Sequence, residues 1–253
     1  MRPLPPRLPS ASARWALRLA KFLPFLGVAV FVSVQLQLID RDGYVLLYWV
    51  VLWAAIVALF LTLIGMRSLW VRGTKGGRKV SGALFLCTVV LVPYIAMGAD
   101  YLRYPRQADT STDLIVPPLF LDELRDIAGD ARAIVASTLR DGYPELSGQR
   151  YQADFVRVYD ATKQVMEENG LSERVQRGRI GANDDIFIEY DWNTFFALWP
   201  HELVVRLTDE GETVFVDMRS RAIEKDHDLA KNAKLIARLQ ARLDALLIGE
   251  ITQ

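Results

Sequence analysis

The chain has 253 residues, 51% of them apolar, a mean hydropathy of +0.15 and a formal net charge of zero. That apolar content excludes a disordered chain, and the single Cys87 excludes both a disulfide framework and a cysteine-based zinc site. The charge is unevenly shared: residues 1–98 balance at +9 and residues 99–253 at −9, which argues against nucleic acid as a partner of the second half.

Three apolar stretches lie in the basic half. Residues 22–39, 44–66 and 80–98 run without a charge for 18, 23 and 19 positions. About 20 apolar residues cross a hydrocarbon core of about 30 Å, so all three qualify as spans. Pro93, in the third, is a tolerable kink in a membrane helix. Aromatic residues near the ends, among them Phe22, Phe25, Tyr44, Tyr48, Trp70 and Tyr94, fit an interfacial belt. Residues 35–40 offer no small-x-small cleavage site, so the first stretch reads as retained rather than as a signal peptide.

Arg2, Arg7, Arg14, Arg18 and Lys21 precede the first span, and Arg67, Arg72, Lys75, Arg78 and Lys79 fill the second loop. The first loop holds only Arg41, between Asp40 and Asp42. Basic segments stay in the cytoplasm, so the N-terminus and the second loop are expected inside and everything after Gly98 outside. In a bacterium that is an inner-membrane protein with a periplasmic domain. No span carries an ionisable residue, which points to an anchor rather than a transporter. Ala54-x-x-x-Ala58 is a spacing that lets another helix pack closely. Gly73, Gly76 and Gly77 lack the strand-to-helix setting of a phosphate loop and read, with their basic neighbours, as a loop on anionic lipid.

Residues 99–118 read as a connector, with Pro105, Pro117 and Pro118. Over 119–139, Phe120, Leu124, Ile127, Ala131, Ile134 and Val135 share one helical stripe, and Asp141-Gly142-Tyr143-Pro144 makes a turn. Phe155, Val158, Tyr159, Thr162, Val165 and Met166 predict a helix over 154–169, stopped by Asn169-Gly170. Strand-like runs follow at 172–179, 185–192, 194–199, 201–208 and 212–220, separated by glycine and acidic turns. A final helix is expected over 227–248, with Leu229, Ala233, Ile236, Leu239, Leu243 and Leu246 inward. The predicted architecture is an N-terminal three-helix transmembrane region (1–98), the connector, and an α+β soluble domain (119–253) with an antiparallel sheet of about four strands and two or three helices.

Several short motifs in this half carry a family likeness. Ser111-Thr112-Asp113, Pro117-Pro118-x-Phe120 and Tyr143-Pro144 resemble the entry segment of the family called domain of unknown function 1499. Trp199-x-x-Glu202-x-Val204-Val205-Arg206 resembles its central strand, and Val216-Asp217-Met218-Arg219-Ser220 followed by Asp228-Leu229-x-x-Asn232-Ala233 resembles its closing block. The match runs over roughly 110–248, and the three preceding spans look like a membrane-anchored bacterial version. The chain departs from the family pattern where Ala222-Ile223-Glu224-Lys225 stands in place of a Ser-Arg-x-Gly stretch, and where Ala230 replaces a glycine. The resemblance implies no reaction.

His201 and His227 are the only histidines. Asp226-His227-Asp228 reads as a cap at the start of the last helix rather than a metal site. No Ser lies in a Gly-x-Ser-x-Gly elbow. No catalytic, cofactor or metal site is therefore expected. Tyr190, Trp192, Phe195, Phe196 and Trp199 fall within ten residues. On a strand, Phe196 shares a face with Tyr190 and Trp192 while Phe195 and Trp199 point the other way. These aromatics read either as core on both faces or, if one sheet face lacks helices, as a candidate interaction surface. Asp217, Arg219, Ser220, Asp228 and Asn232 are expected to be structural: Asp217 and Arg219 joined in an ion-pair network, Asp228 capping, Asn232 tying loop to helix.

These features predict a non-enzymatic, membrane-anchored accessory or interaction protein. Its partners would be membrane lipid and other membrane or periplasmic proteins. A carrier or sensor of lipid or another apolar ligand is the alternative, and an enzyme using Asp217, Arg219 and His227 a third reading.

Overall fold

The computed structural model describes residues 10–36, 38–124, 143, 146–181, 185–194, 199–223 and 227–248. The chain divides into two compact units, Met1–Ala99 and Asp100–Gln253.

The first unit is built on α1 (Ala11–Gln35), α2 (Arg41–Arg72) and α3 (Gly77–Arg103). Each is long and apolar enough to cross a membrane. Ser10 caps α1 by accepting from the Ala13 N–H at 3.3 Å, and Asp40 caps α2 by accepting from Gly43 at 3.0 Å. The first helix thus starts well before residue 22 and stops before Ile39, because Asp40 must leave the helix to cap the next one. Small residues hold the unit together. Ala16, Ala20, Ala55, Ala58, Ala83 and Cys87 form its buried seam with Leu23. A methyl added at Gly65 would stand 3.3 Å from the Ala13 backbone, so α1 and α2 approach closely there. Ala58, from the Ala54-x-x-x-Ala58 spacing, is spent on this internal seam. Phe22, Phe25, Trp53, Phe60, Phe85 and Ile95 point outward and are exposed, as side chains meeting lipid should be.

The second unit carries one antiparallel sheet in the order β1-β6-β5-β4-β3, with β2 also on β6. Its strands are β1 (Asp109–Ser111), β2 (Gln149–Tyr151), β3 (Ser172–Arg177), β4 (Ile186–Asn193), β5 (Pro200–Asp209) and β6 (Val214–Ala222). Helix α4 (Phe155–Glu168) falls where the 3.6 periodicity puts it, capped by Asp154. Helix α5 (Lys231–Leu247) is shorter at its start than the apolar stripe suggests. The α+β class is the predicted one. Two three-residue strands, β1 and β2, extend the expected four to six.

The core lies between one sheet face and the two helices. Val158, Val165 and Met166 from α4, with Leu235, Ile236, Leu239 and Leu243 from α5, pack on Ile186, Ile188, Leu203, Val205, Leu207, Val216 and Met218. The expected run at 194–199 is not a strand where it is described. Asn193 pairs with Pro200, and the Thr194 N–H donates to the Trp199 carbonyl at 3.3 Å, so these residues join β4 to β5. Of the expected helix at 119–139, residues 121–124 make a turn and 125–142 lie outside the described residues. Of the expected turn at 141–144, only Tyr143 is described, and it is buried.

Candidate functional site

The two faces of the sheet are chemically opposite. Successive strand residues alternate sides, so the residues between the core positions all project the other way. There, β6 presents Phe215, Asp217, Arg219 and Arg221, β5 presents Glu202, Val204 and Arg206, and β4 presents Phe187, Glu189 and Asp191. The chain leaving β1 runs over this face as a strap, residues 112–124. Thr112 fastens its start to Met218, donating from its N–H to the Met218 carbonyl (2.9 Å) and accepting from the Met218 N–H at Oγ1 (2.8 Å).

Arg219 is the hub. It is 2% exposed, and all five guanidinium N–H groups are used. Nε and Nη2 donate to Asp109 at 3.0 and 2.6 Å, Nη1 and Nη2 donate to Glu123 at 2.8 and 2.9 Å, and Nη1 also donates to the Pro118 carbonyl at 3.2 Å. Burial opposes its charge, but Asp109 and Glu123 outweigh that and hold its pKa above the ordinary arginine value. Arg221 donates to Glu202 and Asp122, both at 2.6 Å. Phe120, fully buried, lies beneath both cations, its ring centroid 5.3 Å from Arg219 Cζ and 4.0 Å from Arg221 Cζ.

A second pair lies one strand position on. Arg206 clamps Asp217 in bidentate fashion, Nε to Oδ1 at 2.9 Å and Nη2 to Oδ2 at 2.8 Å, and reaches Asp113 at 2.9 Å. Burial pushes the Asp217 carboxyl up to about 6 against the pull of Arg206. Asp113 is raised by its own burial, yet the N–H groups of Val116 and Ile115 and the Arg206 charge bring it below the usual carboxylate range. At the far side, the fully buried Glu189 accepts from Arg174 (2.5 Å), Arg177 (3.1 Å) and the Leu121 N–H (2.7 Å). Arg174 also pairs with Glu202. The strap is thereby bound to the sheet through charge, with the buried Phe120 packed beneath the cations.

On the helix side, near the start of α5, lies a smaller polar cluster. Asn232 is fully buried; its Oδ1 accepts from Ser220 at 2.8 Å and stands 2.9 Å from His201 Nδ1, while Nδ2 donates to the Ala108 carbonyl at 2.8 Å. Trp192 stacks on His201 at 4.2 Å and donates to Ser220 at 3.2 Å. Burial pushes the His201 pKa down to about 4, with only partial opposition from Asn232. Asp228 accepts from the N–H groups of Ala230 (2.9 Å) and Asn232 (2.7 Å). Its burial raises its pKa.

The expected site residues are distributed differently from the sequence reading. Asp217 and Arg219 share a face but do not pair with each other, because each meets a partner across the sheet or on the strap instead. Asp228 does satisfy backbone N–H groups, but from a turn before α5 rather than as its first residue. Tyr190 is 1% exposed and belongs to the core, and Trp192 is partly buried against it; both lie on the side of α4 and α5, so neither contributes to the charged face opposite. Trp199 is half-buried, and Phe195, Phe196 and Asp226 lie outside the described residues. Asp217 and Arg219 are held on the charged face, whereas His227 stacks on Tyr101 at 4.8 Å and accepts from the Leu229 N–H at 3.0 Å. Sequence reasoning missed Arg206, Glu189, Glu202, Arg174, Asp109 and Glu123. The available signal was the alternation itself: charged residues at every second position of β6, starting from Asp217.

An α+β domain that follows three apolar helices, with one sheet face under helices and the other under a salt-bridged strap, is the class this fold defines. The chain belongs to the family described as Protein of unknown function (DUF1499), whose model matches residues 109–243. That span takes in the strap and both faces of the sheet and ends inside α5. No curated protein matches the chain. A solved structure, the vertebrate conserved region of human METTL16, is similar over 38% of this chain and 76% of its own, at 9% identity and a TM-score of 0.30. A likeness of that size carries no argument about function.

Proposed function

We propose that the protein is a non-enzymatic accessory or interaction protein. Its three helices anchor it in a membrane, and its α+β unit recognises other membrane or extracytoplasmic proteins. The observation that carries this reading is how the polar groups of the family block are engaged. Asp217, Arg219, Ser220, Asp228 and Asn232 each bond to partners within the unit, at 2.6–3.2 Å. Groups engaged in this way build a scaffold. The block is a clasp that fixes strap, sheet and last helix together.

The N-terminus is cytoplasmic on this reading and the α+β unit extracytoplasmic, at the inner membrane if the source is a bacterium. The basic N-terminal segment and basic α2–α3 loop support that orientation. The apolar-carrier alternative loses support, since among the described residues the apolar side chains of the face opposite α4 and α5 are covered by paired arginines and the strap: Arg177 lies over Phe187, and Arg219 and Arg221 over Phe120. The test is purification of the full chain from its membrane in mild detergent with mass spectrometry of what accompanies it. A stoichiometric membrane-protein partner, lost when residues 100–253 are removed, is the expected result. A chain accompanied only by a stoichiometric apolar ligand would replace this reading with the carrier.

A further inference from the structure

The first unit gathers cations at one end. On α1, Arg14 and Arg18 lie one turn apart on the side away from the buried Ala13, Ala16 and Ala20. The α2–α3 loop is brought to the same place: the Ser10 N–H donates to the Lys75 carbonyl at 3.2 Å, and a methyl at Gly76 would stand 3.3 Å from the Ala13 side chain. Arg72, Lys75, Arg78 and Lys79 therefore join Arg14 and Arg18, and all six are exposed. The only carboxylates of residues 1–98 are Asp40 and Asp42, at the opposite end of a 32-residue helix about 48 Å long. Trp15 and Trp70 flank the cations and are 61% and 86% exposed, with Arg18 Cζ 5.2 Å from the Trp15 ring.

We propose that the start of α1 and the α2–α3 connection with its flanking helix ends form a collar that docks anionic phospholipid head groups. The inference rests on reading α1–α3 as membrane spans. Charge complementarity argues for an anion. The flanking tryptophans argue for a lipid rather than a free ion, because indole side chains settle at head-group depth, where lipid phosphate also lies. The collar is a product of the fold. The α2–α3 connection supplies Arg72 at the end of α2, Lys75 in the loop, and Arg78 and Lys79 in the first turn of α3, and packing against α1 adds a second row of charge.

The test titrates the full chain in detergent with phosphatidylglycerol and phosphatidylcholine, read by native mass spectrometry. Phosphatidylglycerol should be retained at least tenfold better. Arg14→Gln/Arg18→Gln should weaken that retention by about fivefold for each side chain removed, at unchanged helical content. Lys75→Gln/Arg78→Gln should do the same from the other segment. Arg238→Gln/Arg242→Gln, exposed on α5, removes equal charge and should leave retention unaltered. Equal retention of the two lipids would overturn the proposal, as would equal loss in the α5 variant or complete displacement by excess inorganic phosphate. A chain that stays in solution without detergent would instead overturn the reading of α1–α3 as spans, and the collar with it.

Discussion

Arg219 shows how a single residue can set the shape of a face. A buried guanidinium is tolerated only when its charge and its five donors are all met, and here Asp109, Glu123 and Pro118 meet them from β1 and the strap. Arg219→Met removes the cation but leaves two carboxylates side by side under a strap. We expect a loss of about 3 kcal/mol, read as a fall of roughly 6–12 °C in the melting of the full chain in detergent. Arg219→Lys has three donors on a point charge and should recover only part of it. A melting temperature unchanged in both would mean that the strap is not held through this residue. His201 makes a prediction about pH. Burial lowers its pKa from 6.5 to about 4, so below pH 6.5 the unfolded chain binds a proton that the folded chain refuses. His201 thus contributes stability that is full above pH 6.5 and is lost as pH falls toward 4, by up to about 3 kcal/mol. Asp217 has the opposite sign: raised to about 6, it favours the folded state at low pH and gives that up as pH rises through 6. The two offset each other, so the measurement is a difference. Stability of the wild type relative to His201→Gln should decline between pH 6.5 and 4. A constant difference across that range would show that His201 is accessible to protons in the folded state.

At the scale of elements, the turn into α5 stores backbone strain at a place where the chain departs from the pattern it resembles. Leu229 and Ala230 both have left-handed backbones, φ +56° and +60°. A glycine meets that conformation without strain, whereas a side chain costs about 1–2 kcal/mol. The glycine that the resemblance implies falls at Ala230. This chain keeps alanine there, buried at 1% exposure, and holds the turn with Asp228. Ala230→Gly should therefore leave the melting temperature unchanged or slightly raised, although it deletes a buried methyl worth about 0.8 kcal/mol. Ala233→Gly, a similarly buried methyl inside α5, should lower the stability by more than about 1 kcal/mol and the melting temperature with it. Equal losses at both positions would mean that the turn carries no strain. The same element also marks what the sequence could reveal. Apolar periodicity located α4 and most of α5, because a stripe at 3.6-residue spacing is a dense signal. Strands β1 and β2 were invisible, since three residues have no period. Cross-sheet partners were hidden for another reason: Arg206 faces Asp217 only once the hairpin is centred between Asp209 and Val214, and Arg219 meets Asp109 across 110 positions of chain. Aromatic crowding misled because Tyr190 and Trp192 share their face with Ile186 and Ile188, which are core.

For the whole molecule, the decisive quantity is where charge falls along the chain. Residues 1–98 carry a balance of +9 and residues 99–253 one of −9. A basic segment is costly to move across an energised membrane, so the five basic residues before the first apolar stretch and the five between the second and third should remain in the cytoplasm. The connection from α1 to α2 holds only Arg41 between Asp40 and Asp42, a low basic content that suits it to crossing. On the proposed orientation, three crossings carry the acidic α+β unit to the other side. Reporter fusions after Thr74 and after Asp109 should give opposite results, cytoplasmic for the first and exported for the second. Moving charge should move topology: replacing Arg72, Lys75, Arg78 and Lys79 with glutamine should let a fraction of the Thr74 fusion become exported, whereas the same number of substitutions in α5 should not. An exported Thr74 fusion in the unaltered chain would reverse the orientation. It would place the acidic unit in the cytoplasm and remove the basis for seeking its partners outside.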